Sequence, residues 1–171
     1  MESYYLIFQI YVFNSSEEQL IELHLNNDLN KMDQMFKNCL KLSYIDLSKI
    51  ETNKITNMSE MFYECNSLTS INFSKFNTEN IVNMSYLFYR CMFLKSIELN
   101  NFVTSKVIDM KYMFSTSSLT SLNIKNFNTN NLKELKGMFS NSKYLSILEL
   151  GNNFITSKVR DISELFKDCQ T

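Results

Sequence analysis

The sequence has no proline, no tryptophan, two glycines and a single histidine among its 171 residues. Each shortage removes a kind of chemistry. With so little glycine there is no loop that brings backbone amides against a phosphate, and no nucleophile elbow. His24 stands alone, so no second imidazole can share a metal or a proton with it. The four cysteines contain no Cys-x-x-Cys pair of the kind zinc knuckles use. A formal charge of −1 gives no electrostatic reason to hold nucleic acid or an anionic lipid surface. These absences predict a protein that is not an enzyme and carries no catalytic, cofactor-binding or metal-binding residues. The apolar run Tyr4–Phe13 falls short of the roughly 20 residues that span a bilayer, so no membrane span is expected. As a secretion signal it is also poor, because Glu2 stands where a positive start belongs and no small-residue cleavage site follows.

What is present is one phrase, repeated. MSEMFYECNSLTSINFSKFNTENIVN opens at Met58, and related phrases open at Met84 and Met110, each 26 residues after the last. A fixed period in this range predicts coils stacked on one another, none of which can bury its apolar side alone. Full coils start near Met32, Met58, Met84, Met110 and Leu135, and a partial one starts at Ile162 and stops after Cys169. The fourth is one residue short before Leu119, and the fifth is one long at Gly151-Asn152-Asn153. Residues 1–19 read as an N-terminal cap and 20–171 as the repeat array, whose first coil, from Leu20, is cut short. Asn and Ser stand at the corners, where they tolerate turn geometry in place of glycine.

Two periodicities alternate within a coil. Ile55, Met58, Met61, Phe62 and Cys65 are separated by steps of 3, 3, 1 and 3, which predicts a short amphipathic helix. Leu68, Ile71 and Phe73 alternate with Ser70 and Asn72, which predicts a strand. Thr78 then falls where a helix N-cap would help. The expected coil is strand, corner, short helix, corner.

The phrase MxxMFxxCxxLxxIxFSxFNTxxIxN resembles the BspA-type leucine-rich repeat, also called the surface protein 26-residue repeat. Its most specific parts are MF-x-x-C-x-x-L and the following S-x-F-N-T. The resemblance covers about residues 20–169, with Ser117 and Ser142 departing at the cysteine position. It implies an α/β fold, a curved leucine-rich-repeat solenoid of about five full 25–27-residue strand–helix coils with a short cap and partial terminal coils. It also implies a protein-binding or adhesive role at a cell surface, and a surface or secreted location. The weak signal favours the cytoplasm if the chain is complete as given, and with it the alternative of an intracellular scaffold or assembly subunit.

Two surfaces stand out as candidate protein-binding sites. His24, Asp46, Asn72, Glu98, Asn123 and Glu149 share the outward strand position in successive coils, and the resemblance places that column on a concave face. Tyr86 and Tyr89, three apart on one predicted helix, meet Tyr63 from the coil before and Tyr112 from the coil after, a convex aromatic patch with Phe93 at its edge. The partner expected is protein of unspecified identity. The last strand, Leu145–Leu150, has only the partial coil beyond it, and such an edge invites end-to-end self-association. The remaining columns read as structure. Met and Phe fill the core, and Thr52, Thr78, Thr104, Thr129 and Thr156 cap corners. Cys39, Cys65, Cys91 and Cys169 read as reduced thiols, because helices 8–10 Å apart would hold them beyond disulfide reach of about 7 Å.

Overall fold

The computed structural model describes the backbone of residues 5–14, 17–26 and 29–170, and the side chains of 29–170. Two strands, β1 (Tyr5–Asn14) and β2 (Glu17–Asn26), pair antiparallel with Tyr5 opposite Asn26. The coils follow. β3 (Tyr44–Asp46) lies parallel to β4 (Ser70–Asn72), and β5 (Ser121–Ile124) lies parallel to β6 (Ile147–Leu150). Partners in both pairs are 26 residues apart, as the period requires. A column of single parallel bridges, Lys31–Asn57–Asn83–Asp109–Glu134–Asp161, runs along the opposite corner through every coil.

The expected helices do not form. Among the described residues no segment is helical, so the solenoid of strand–helix coils is replaced by a stack of helix-free coils. The backbone shows why. An α-helix needs each amide to bond four residues back within its own segment. Here alternate amides leave the coil: Gln34, Phe36 and Asn38 donate to the carbonyls of Ser59, Met61 and Tyr63 in the next coil, at 3.0, 3.0 and 2.8 Å. The amides between them close tight turns at home, Lys37 to Gln34 at 3.0 Å and Cys39 to Phe36 at 3.1 Å. Glu60, Phe62 and Glu64 repeat the pattern onto Ser85, Leu87 and Tyr89. Two residues per coil are left-handed, with φ between 53° and 60°: Glu60 and Glu64, Tyr86 and Arg90, Tyr112 and Thr116, Gly137 and Asn141. Outside glycine that conformation costs about 1–2 kcal/mol per residue, and it holds because it aims the neighbouring amides at the next coil. A train of turns puts Met58, Met61, Phe62 and Cys65 inside just as a helix face would, so the apolar spacing reads as either.

Stacking in register is plain in the side chains. Phe36, Phe62, Phe88, Phe114, Phe139 and Phe166 form one column with successive ring centroids 5.3 to 6.1 Å apart and planes within 2° to 15°. Met58, Met84, Met110 and Leu135 are fully buried beside them. Threonine has a different task from the helix cap expected of it. The Thr52 hydroxyl donates to the Asn77 carbonyl and accepts from the Asn77 amide, both at 2.8 Å, and so clips two coils together. Thr78 does the same with Val103, and Thr104 with Asn128. Cysteine adds a third tie: Cys65 Sγ donates to Phe36 O at 3.0 Å and Cys91 Sγ to Phe62 O at 3.3 Å. Ser142 makes the equivalent bond to Phe114 O at 2.8 Å. The thiols are free. The helix spacing that was to keep them apart does not apply, and each of these two points at a carbonyl of the coil before it.

If the ring column carries the core, position along it sets the cost of removal. Phe88→Ala, fully buried, should cost about 3–5 kcal/mol. Phe166→Ala, at 50% exposure in the last coil, should cost less than half as much. Urea midpoints of the two variants measure the difference.

Candidate functional site

The four tyrosines come together. Tyr63 stacks on Tyr89 with centroids 4.8 Å apart, and Tyr86 stacks on Tyr112 at 5.1 Å. Edge contacts join the two stacks, Tyr86 to Tyr89 at 5.6 Å and Tyr89 to Tyr112 at 6.5 Å. All four are half-buried, so one side of each ring group remains open to a partner. They do not sit on a helix. Tyr86 and Tyr112 occupy left-handed positions with φ 56° and 53°, and their amides donate to Lys111 and Lys136 of the following coils at 2.9 Å.

Paired charges frame this face. The Lys37 ammonium binds the Glu60 carboxylate and lies 4.8 Å over the Tyr63 ring. Arg90 pairs with Glu64 at 2.9 Å, Lys111 with Asp109 at 3.3 Å and Lys136 with Glu164 at 3.7 Å. The Tyr112 hydroxyl donates to Glu164 at 3.1 Å, two coils away. It can reach because the coil between offers Gly137, where an added Cβ would meet the Tyr112 ring at 2.2 Å. Burial and then the Glu164 bond push the Tyr112 phenol up to about 12, and burial raises Tyr63 and Tyr86. Lys37, Gly137 and Glu164 did not stand out in the sequence, although the 26-residue register alone would place Lys37 next to Tyr63. Phe93, expected at the edge, is 61% exposed, and its neighbour Met92 is 46% exposed.

The strand column is a different surface. His24 lies in β2 opposite Ile7, and its side chain is outside the described residues. Asp46, Asn72 and Asn123 turn back on their own chain, accepting from the amides of Ser48, Ser74 and Lys125 at 2.8, 3.0 and 3.1 Å. Glu149 pairs with Lys125 at 2.9 Å, and Glu98 accepts from Asn100 Nδ2 at 3.0 Å. Burial opposes ionisation of Asp46, but bonds from Ser48 and Asn72 outweigh it and hold its carboxyl below the ordinary value. Most of this polar column is therefore engaged with the chain itself.

Coils joined in register by their own backbone, with aromatic and charged columns outside, define a helix-free repeat protein. The chain belongs to the family described as Mycoplasma protein of unknown function, DUF285, which matches residues 9–121 and 92–171. The resemblance to the BspA-type leucine-rich repeat is corrected by that match and by the missing helices. No curated protein and no solved structure matches the chain. Among the described residues no helix is long and apolar enough to cross a membrane.

The half-buried Tyr112 hydroxyl and the buried Cys65 thiol make alkali a probe of the stack. Tyr112 holds its proton up to about 12 against an ordinary 10.0, and Cys65, raised mainly by burial, up to about 12 against 9.0. Folding therefore binds these protons more tightly, so their stability is complete below pH 9.0 and is lost as pH rises towards about 12. Urea midpoints should fall across that window. A variant carrying Tyr112→Phe and Cys65→Ser should show a shallower fall.

Proposed function

We propose that the chain is a non-catalytic protein-binding module that meets its partner through the tyrosine face. The observation that carries this reading is the cluster of Tyr63, Tyr86, Tyr89 and Tyr112 in mutual contact and half-open to solvent. Tyrosine supplies a large rigid contact area with a polar tip, and buried tyrosines recur among the residues that dominate binding energies. The framing ion pairs suit the polar rim that excludes water around such a centre. Recognition at a cell surface is one setting for such a module, and its support from the BspA resemblance is withdrawn.

The alternative setting is a scaffold or assembly subunit, with a second copy as partner. It draws on Leu150 and, in the coil after it, Ile162 and Phe166, which are 43%, 49% and 50% exposed although their columns are buried in earlier coils. Light scattering across a concentration series tests this: growth of mass on dilution-reversible association supports it, and a constant monomer mass rejects it.

For the tyrosine face the test is Tyr86→Ser with Tyr89→Ser. Both rings are on the surface side, so the urea midpoint should move little. Binding of a partner recovered with the native chain, and crosslinked at this face, should weaken about 30-fold or more, on the order of 2 kcal/mol for an aromatic anchor. Unchanged affinity rejects the face.

A further inference from the structure

The fourth coil is one residue short at a single corner, and its register with both neighbours holds on either side of the gap. Before it, the Arg90 amide donates to the Ser115 carbonyl at 3.0 Å and the Thr116 amide to the Ser140 carbonyl at 2.8 Å. After it, the Thr120 amide donates to the Lys95 carbonyl at 3.1 Å and the Ser146 amide to the Thr120 carbonyl at 3.0 Å. Between Cys91 and Leu94 the third coil has Met92 and Phe93, and between Ser142 and Leu145 the fifth has Lys143 and Tyr144. Between Ser117 and Leu119 the fourth has Ser118 alone. Its hydroxyl donates to the Met92 carbonyl, so Ser118 matches Met92 and nothing in the fourth coil matches Phe93 and Tyr144.

Phe93 and Tyr144 thus hold one position two coils apart, and the coil between them leaves it vacant. They are also the most exposed aromatic side chains among the described residues, at 61% and 65%. Backbones two coils apart lie about 9.5 Å from one another at the usual strand spacing. Rings on adjacent coils of this protein stack, as Tyr63 does on Tyr89 at 4.8 Å, so the vacancy is one ring thick. The corner also carries charge of one sign. Residues 91–95, 117–120 and 142–146 include the exposed Lys95 and Lys143 and no carboxylate. Among the described residues neither lysine forms an ion pair.

We propose that this vacancy receives one aromatic side chain from an acidic segment of a protein partner. The guest ring would stand in for the missing rung, between Phe93 and Tyr144, with the half-exposed Met92 beside it. Ring-on-ring contact adds to the apolar area such a guest buries. Carboxylates flanking it in sequence would meet Lys95 and Lys143, which lie on either side of the vacancy in the third and fifth coils. A sugar ring would stack there but leave both lysines without a counter-charge. A nucleobase would stack too, but two lysines on a chain of net charge −1 hold few phosphates. The inference rests on the reading of the chain as a protein-binding module, and it uses residues outside the tyrosine cluster.

Short labelled peptides test this by fluorescence anisotropy: a phenylalanine flanked by Asp and Glu, the same flanks around alanine, and a phenylalanine flanked by lysines. The acidic phenylalanine peptide should bind about tenfold more tightly than either of the others, and added salt should weaken it. Phe93→Ser, at an exposed position, should leave the urea midpoint in place and remove the preference for phenylalanine over alanine. Inserting a phenylalanine between Ser118 and Leu119 restores the full coil, fills the vacancy from within and should remove that preference as well. Lys95→Gln with Lys143→Gln should remove the preference for acidic flanks over basic ones. Tyr86→Ser with Tyr89→Ser should change none of this, so failure of the tyrosine face and failure of the vacancy are told apart. The proposal is overturned if no peptide binds, if all three bind alike, if Phe93→Ser leaves the preference intact, or if oligothymidylate binds more tightly than the acidic peptide.

Discussion

Alternate amides of each turn segment donate forward, out of their own coil and into the carbonyls of the next. Everything else in the structure follows from that direction. A helix would have kept those amides at home and presented the neighbouring coil with side chains alone, 8–10 Å away. Forward donation brings the coils close enough for phenylalanine rings to stack face over face at 5.3 to 6.1 Å. The same closeness lets a threonine hydroxyl on one coil serve both the donor and the acceptor of the next. Each such bond contributes only about 1 kcal/mol net, but they recur at the same places in every coil and none can form without the register.

The constraint also explains which sequence changes the stack tolerates. Ser142 replaces a cysteine and keeps its bond to the carbonyl of the preceding coil, because a hydroxyl donates there as a thiol does. Ser117 replaces another, is buried, and makes no such bond. Its coil is also the one that lacks a residue, immediately before Leu119. At the corner that follows the strand, Asn101 and Asn126 each send a side-chain amide to several carbonyls of the coil before, tying that corner as the threonines three residues on, Thr104 and Thr129, tie theirs to the coil after.

How much of this could be read from residues alone divides along one line. The register was legible, because a period of 26 needs only like residues at like intervals. It placed the phenylalanine column, the threonine column and the four tyrosines relative to one another. Local conformation was not legible. Inward positions at steps of 3, 3, 1 and 3 suit one face of a helix and suit a train of tight turns equally, so Met58, Met61, Phe62 and Cys65 could not decide between them. The deciding residues were at the outward positions, where Glu60, Glu64 and Arg90 carry left-handed backbone without the glycine or asparagine that announces it. Asn38, Gly137 and Asn141 do announce it, in two coils, and the identical spacing elsewhere carried the same message unnoticed.

The column Gln34, Glu60, Tyr86, Tyr112, Gly137, Glu164 shows that the backbone accepts very different side chains there. Packing does not require an aromatic ring, and a bulky residue in this conformation is disfavoured relative to glycine or asparagine. Tyrosine at 86 and 112 carries the same local cost that Glu60, Arg90 and Thr116 carry at their left-handed positions, and the forward amide bonds offset it in each coil. The amides of both residues are held by the next coil, and their rings are braced by each other and by Tyr89. A partner meeting this face would find it already ordered, and little conformational freedom would remain to be lost on contact.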